Sequence, residues 1–342
     1  MLKTAESVKR GHPDKICDQI SDAILDECLK QDENSRVAIE VMGGHNNIYV
    51  CGELTTNAYV NIHEIAKKVY KDVGYNDKIG VITNIVSQSP DISQGVDTGG
   101  AGDQGIMVGY ACGKNNGMVP HELYLARKIT MMVEDLQDEK ILPDGKAQLT
   151  LDSNDKITAM VISNQTTDEK YFDEVIRGKV LKDEEIKSAI TDNTKILINP
   201  TGKFEIGGFD ADTGLTGRKL AVDNYGPNVP VGGGCFSGKD PSKVDRSGAY
   251  MARKIAVNYL KKYGADEALV KLAYIIGRAE PAMACALLKI NGEEKFIDIL
   301  KDAGNEYDLS PKGIIAALDL KKQIYYKTAQ HGHFGHGFKW DN

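Results

Sequence analysis

The chain predicts an α+β fold of layered sheets and helices, and two observations carry that reading. Strand pairs followed by helices recur about three times along the 342 residues. Strands that neighbour one another in sequence favour layered sheets over alternating βαβ units. No low-complexity linker and no residue-level repeat interrupts the pattern.

The elements follow in order. Ile16, Ile20, Ile24 and Cys28 recur every four residues, with Leu25 and Leu29 widening the stripe, so 14–31 reads as a helix. Pro13 suits its first position, where a backbone N–H has no partner anyway. Val37–Val41 and Ile48–Leu54 read as strands joined by the turn-rich 43–47. A second helix covers Asn61–Val73 and closes on Gly74. Ile79–Val86 reads as a buried strand, followed by a loop to Gln104 and a strand over Gly105–Cys112. Pro120 opens a long helix to about Leu136. Lys146–Leu151 and Lys156–Ser163 alternate around Asp152-Ser153-Asn154-Asp155 and predict a hairpin. Helical segments fill 170–191, and Lys195–Asn199 is a short strand. Ser242 begins a helix to Tyr263, with Ser242 and Asp245 as its capping box. Leu269–Ile276 and Ala282–Ile290 are strands, with two short helices after them.

Composition narrows the function. A net charge of -7 argues against a general nucleic-acid binder, which needs a basic face. No apolar run approaches the ~18 residues that span a bilayer, and the N-terminus shows no secretory signal. Cys17, Cys28, Cys51, Cys112, Cys235 and Cys285 form no Cys-x-x-Cys pair and read as small hydrophobes in a reducing compartment, so the expected location is the cytoplasm. The excess is in glycine, 35 residues against 10 prolines, without a Gly-x-y period. Glycine used this way marks backbone shaped for a purpose.

The richest stretch is Gly232 to Arg246. Glycines there let N–H groups converge on an anion, with Lys239, Lys243 and Arg246 close by. Gly233 to Lys239 has P-loop spacing, but Asp240 stands where that loop needs a hydroxyl. Gly11-His12-Pro13-Asp14-Lys15 sets an imidazole, a carboxylate and an ammonium around a helix start. Gln88 to Gly105 carries five glycines with Asp91, Asp97 and Asp103, either a mobile cover or a plain connector. Asp144-Gly145-Lys146 reads as a turn before a strand. Arg218 and Lys219 on a strand would face opposite ways. The row Asp14, Asp18, Asp22, Asp26 reads mostly as a wet helix face, and His331, His333 and His336 as solvated or stacking residues.

Together these segments resemble the S-adenosylmethionine synthetase family. The resemblance rests on Glu6-Ser7-Val8, Gly11 to Lys15, Gln88-Ser89-Pro90-Asp91-Ile92, Gly100 to Gly105, Gly232 to Arg246, and the tail Thr328-Ala329 with Gly332 to Gly335, all in the family's order. It implies three similar sheet-and-helix units around a pseudo-threefold axis, here roughly 1–89, 90–204 (with the loop 88–104) and 205–342. It implies attack of methionine sulfur on C5′ of ATP, then hydrolysis of the released triphosphate to pyrophosphate and phosphate. By resemblance His12, Lys146, Arg218, Lys219, Lys239 and Lys243 surround the phosphates. Asp14 and Asp245 hold two magnesium ions, and Glu40 holds potassium. Glu53, Gln88, Asp103, Asp212 and Lys243 meet methionine, while Asp144, Lys203, Phe204, Asp212 and Cys235 meet ATP. Active sites between paired subunits, in a homodimer or a dimer of dimers, are implied too. Lys203 stands in an arginine position and Cys235 in a small residue's position. The loop 88–103 is about five residues short. A simple triphosphatase and a non-catalytic regulatory partner are the competing readings. The methionine-pocket residues oppose the first, and the full set of charges opposes the second.

Overall fold

A computed structural model describes residues 1–76, 78–88, 99–302 and 306–342. The chain opens on β1 (Lys3–Val8) and, through the capping residue His12, enters α1 (Pro13–Gln31). Then come β2 (Arg36–Gly44), β3 (Asn47–Thr55), α2 (Ile62–Val73), β4 (Gly80–Val86) and β5 (Gly105–Cys112). The middle holds α3 (His121–Asp135), β6 (Ile141–Leu151), β7 (Ile157–Thr166), α4 (Glu169–Gly178), α5 (Glu184–Ala189) and β8 (Lys195–Ile198). After β9 (Gly214–Leu215) and α6 (Leu220–Asp223), α7 (Val244–Tyr263) leads to β10 (Glu267–Tyr274), β11 (Met283–Ile290) and β12 (Glu293–Asp298). Three short helices follow, α8 (Ile299–Asp302), α9 (Pro311–Leu318) and α10 (Tyr325–His331).

Among the described residues the strands form three four-stranded sheets, ordered β1-β6-β7-β8, β4-β3-β2-β9 and β12-β11-β10-β5. Each packs on one long helix: α3 on the first, α1 on the second, α7 on the third. The α+β prediction and the threefold repetition are therefore both present. Neighbours in a sheet come from distant parts of the chain, as β1 pairs with β6 and β5 with β10. The second and third sheets share one apolar core with α1 and α7, while α3, β6, β7, α4 and α5 enclose another.

Several expectations are corrected. β1 carried too little apolar alternation to be seen, and exists through its pairing with β6. The strand read as buried, β4, lies at a sheet edge with Ile82 and Val86 50% and 56% exposed. β6 starts at Ile141, so Asp144-Gly145-Lys146 lies inside a strand, at an irregularity in its register with β7. The helical stretch 170–191 breaks at a 3₁₀ turn over Val180–Lys182. β12 is unexpected: after the strand ending at Ile290 the sequence predicts only two short helices, whereas the chain forms this strand and then three short helices. The Gly74 cap stands as expected, at φ 119°. The expected boundary near residue 90, with most of the loop including Asp91 and Asp97, lies outside the described residues.

Candidate active site

The start of α1 organises one set of site residues. His12 is the N-cap: its Nδ1 accepts from the Asp14 N–H at 3.2 Å. That bond makes Nδ1 an acceptor, so the neutral ring carries its proton on Nε2. Burial, and next Lys219, push the His12 pKa down to about 4. Asp14 is buried; its carboxylate accepts from the Leu215 N–H at 2.9 Å and from Lys219 Nζ at 2.6 Å, with Arg218 Nε 3.4 Å away. Arg218 and Lys219 were expected on a strand, facing apart. They lie instead in the turn after β9, where both reach one carboxylate.

The rest of the aspartate row is not a wet face. Asp18 accepts from the Gly217 N–H at 2.8 Å and from Lys15 Nζ at 3.2 Å. Lys15 also reaches Asp223 at 2.7 Å. Burial raises the Asp18 pKa to about 7, with Lys15 opposing. Asp22 accepts from the Gly238 N–H at 2.9 Å and holds Arg246 by two 2.7 Å bonds, both side chains at 0% exposure. Asp26 accepts from the N–H groups of Tyr325 and Tyr326. Four carboxylates one turn apart therefore each anchor a distant segment. An i, i+4 spacing of aspartates is the same whether a helix face meets water or protein, which is why the pattern alone misled.

In the glycine-rich stretch, Lys239 Nζ meets Asp245 at 2.5 Å. Lys243 pairs with the buried Asp240, which also accepts from the Val37 N–H. The expected capping box is absent: α7 starts at Val244, Lys243 occupies the cap, and the buried Ser242 hydroxyl lacks a hydrogen-bond partner. Cys235 Sγ lies 3.9 Å from Glu40, and burial followed by Glu40 pushes its thiol up to about 12. Glu40 is itself raised, by burial first, with Lys239 opposing. Pairing register places Glu40 and Glu53 on the outward face of β2 and β3, opposite Cys51 and Ala38 respectively.

The other expected residues are spread over the sheets. Asp144 on β6 is buried, accepts from the Gly208 N–H at 2.9 Å, and is raised to about 6 by that burial. Lys146 and Asp212 lie close enough to His12 to act on it electrostatically, Lys146 lowering and Asp212 raising its pKa. Phe204 is half-buried, its N–H donating to Glu169, whereas Lys203 is exposed and paired with Glu205 at 2.9 Å. The Gln88 N–H donates to Thr55 at the end of β3. Asp103 sits exposed in the bend before β5, a strand of a different sheet from that of Glu53.

Three domain patterns match in succession: the S-adenosylmethionine synthetase N-terminal domain over residues 1–91, its central domain over 98–204 and its C-terminal domain over 206–342. The chain belongs to the S-adenosylmethionine synthetase family. Similar chains include the S-adenosylmethionine synthases of Treponema denticola, 44% identical over 99% of this chain and 95% of its own length, and of Mycoplasmopsis synoviae, 44% over 100% and 94%. That of Helicobacter pylori is 41% identical, over 99% and 95%.

Within this synthetase-family chain, Asp223 is found only by structure, and so is the role of Lys15, Asp18, Asp22 and Asp240, which with Asp223 tie the loops bearing the expected cations to α1 and β2. Among the described residues, no group of three or more His, Cys, Asp or Glu side chains is placed to hold a metal ion alone. Asp14 and Asp245 are instead separate oxygen donors, each already facing a cation. Such a donor set fits magnesium, which binds through one or two carboxylates and takes its other ligands from phosphate and water. No helix among the described residues is long and apolar enough to cross a membrane.

Proposed function

We propose that the chain transfers the adenosyl group of ATP to L-methionine, forming S-adenosylmethionine, and then hydrolyses the released triphosphate to pyrophosphate and phosphate. The observation that carries this reading is the gathering of Arg218 and Lys219 on Asp14 beside a neutral His12, at a helix N-terminus. A sulfur lone pair forms the S–C5′ bond, the C5′–O5′ bond breaks, and its electron pair leaves with the triphosphate. No proton moves in that step, so the site needs alignment and charge stabilisation rather than a base.

The residues divide the work. His12 donates its Nε2–H to the leaving oxygen side. Arg218, Lys219, Lys239, Lys146 and Lys243 receive the growing phosphate charge. Asp144, Lys203, Phe204, Asp212 and Cys235 line the ATP side. Glu53, Gln88 and Asp103, with Asp212 and Lys243, hold methionine. Asp14 and Asp245 would hold magnesium, which when bound would neutralise phosphate charge, and Glu40 would hold potassium.

The site is completed between two copies of the chain. On the outward face of the second sheet, Met42, Tyr49, Ile82 and Val86 are exposed in register with Glu40 and Glu53. Ile106, Met283, Leu287 and Phe296 are exposed on the third sheet's face away from α7. Apolar surface of this extent calls for cover, and cover over the second sheet encloses the two glutamates.

The deciding experiment is a product assay with ATP, methionine, magnesium and potassium each omitted in turn. The expected result is a methionine-dependent sulfonium product by mass spectrometry. Release of phosphate alone would sink the transferase reading in favour of a hydrolase.

A further inference from the structure

Two of the cations assigned to the leaving group share a local design. Arg218 and Lys239 each follow a glycine in the left-handed region, Gly217 at φ 80° and Gly238 at φ 82°. Each glycine N–H is held by a buried aspartate of α1: Gly217 by Asp18 at 2.8 Å, Gly238 by Asp22 at 2.9 Å. The two loops are also tied to β2, through Val41 bonded to Thr216 and Ile39 bonded to the Gly238 carbonyl. Asp18 and Asp22 are four residues apart on a helix, about 6 Å of rise. Ile39 and Val41 are two apart on a strand, about 6–7 Å. Helix and strand thus impose the same separation on the two loops. The loops also touch, since a Cβ on Gly217 would lie 2.5 Å from the Cys235 Cβ.

We propose that Asp18 and Asp22 are positioning residues that, with β2, hold the loops of Arg218 and Lys239 at a fixed spacing matched to a three-phosphate chain. An anion of that length engages both loops at once, whereas a two-phosphate anion engages one well. The inference rests on the adenosyltransferase reading for its purpose, but its physical claim concerns polyphosphate length.

Asp18→Asn is the informative variant. Lys15 keeps Asp223 as counter-ion, so one negative charge is lost without stranding the ammonium. The single amide oxygen cannot serve both Lys15 and the Gly217 N–H, and the charged donor takes it. Binding is measured calorimetrically with diimidotriphosphate and imidodiphosphate, which are not hydrolysed. The wild type is expected to prefer the longer anion. In the variant, affinity for the longer anion falls at least about tenfold and that for the shorter stays within about threefold. In turnover, kcat falls while KM for methionine holds.

Gly217→Ala moves the same loop without touching the buried ions, and should reproduce the selective loss if Asp18→Asn does not fold. Equal loss for both anions, or no loss for either, overturns the proposal. A wild type that prefers the longer anion yet makes no sulfonium product removes the transferase reading and leaves this one standing.

Discussion

At the scale of single residues, His12 does two things with two nitrogens. Nδ1 caps α1, which fixes the tautomer and leaves Nε2–H for the donor role proposed above. With its pKa lowered to about 4, the ring stays neutral across the physiological range. ¹⁵N spectra of His12 should show the Nε2–H tautomer with no titration between pH 5.5 and 8. Asparagine caps helices well but does not reach as far, so His12→Asn should leave the melting temperature nearly unchanged. Its kcat should fall about 10²–10³-fold, the cost of one lost donor to developing charge. A midpoint near 6.5 in the spectra would contradict the assigned environment.

At the scale of elements, α1 is a spine to which loops are fastened. Its apolar stripe was legible because period and burial agree: Ile16, Ile20, Ile24 and Cys28 are all fully buried. Its aspartates were misread because their partners, such as Gly217 and Arg246, lie about two hundred residues away. The same limit hid β1, whose pairing is long-range, whereas the start of β6 was hidden by the register irregularity between Ile141 and Gly145. Motifs carrying local chemistry, His12-Pro13-Asp14 above all, could be read because a helix N-terminus makes its own electrostatics. Asp22→Ala would leave the buried Arg246 without its counter-charge, with only the neutral acceptors on Tyr250, Thr328 and the Lys239 carbonyl. That variant should lose about 3–5 kcal/mol of stability, seen as a lower urea midpoint at unchanged slope. A loss below about 1 kcal/mol would show the pair contributes little.

At the scale of the whole molecule, two ensemble properties follow. The first concerns acid. His333 is buried, bonded to Tyr250 and stacked edge-on against Phe236, and burial followed by Arg246 holds its pKa well below 6.5. The unfolded chain therefore binds a proton there below pH 6.5 that the folded chain does not, so acid erodes wild-type stability. Asp18, Asp26 and Asp144, raised to about 7, 6 and 6, work in the opposite direction. They are common to both proteins if only His333 is changed. His333→Gln should be the less stable at pH 7, and the gap should narrow by about 1.4 kcal/mol per pH unit below 6. A constant gap between pH 6 and 5 would refute the assignment.

The second property is association. Ile82→Asp places a charge on the exposed apolar face of β4, and should halve the mass by sedimentation and abolish turnover without altering circular dichroism. An active monomer would show that the site is complete in one chain.

The aspartate spine also sets an order of events in synthesis. Asp26 receives its N–H partners from Tyr325 and Tyr326, and Arg246, held by Asp22, bonds Thr328. Trp340 stacks on Tyr250 of α7 at 3.8 Å. A nascent chain that has already released α1 from the ribosome must carry it for some three hundred residues without these partners. Asp26 has only water to answer it throughout that interval, and Asp14 and Asp22 wait about two hundred residues for their partners. Translation speed across the second half of the message, and the chaperones that attend it, thus bear directly on how much active enzyme a cell recovers.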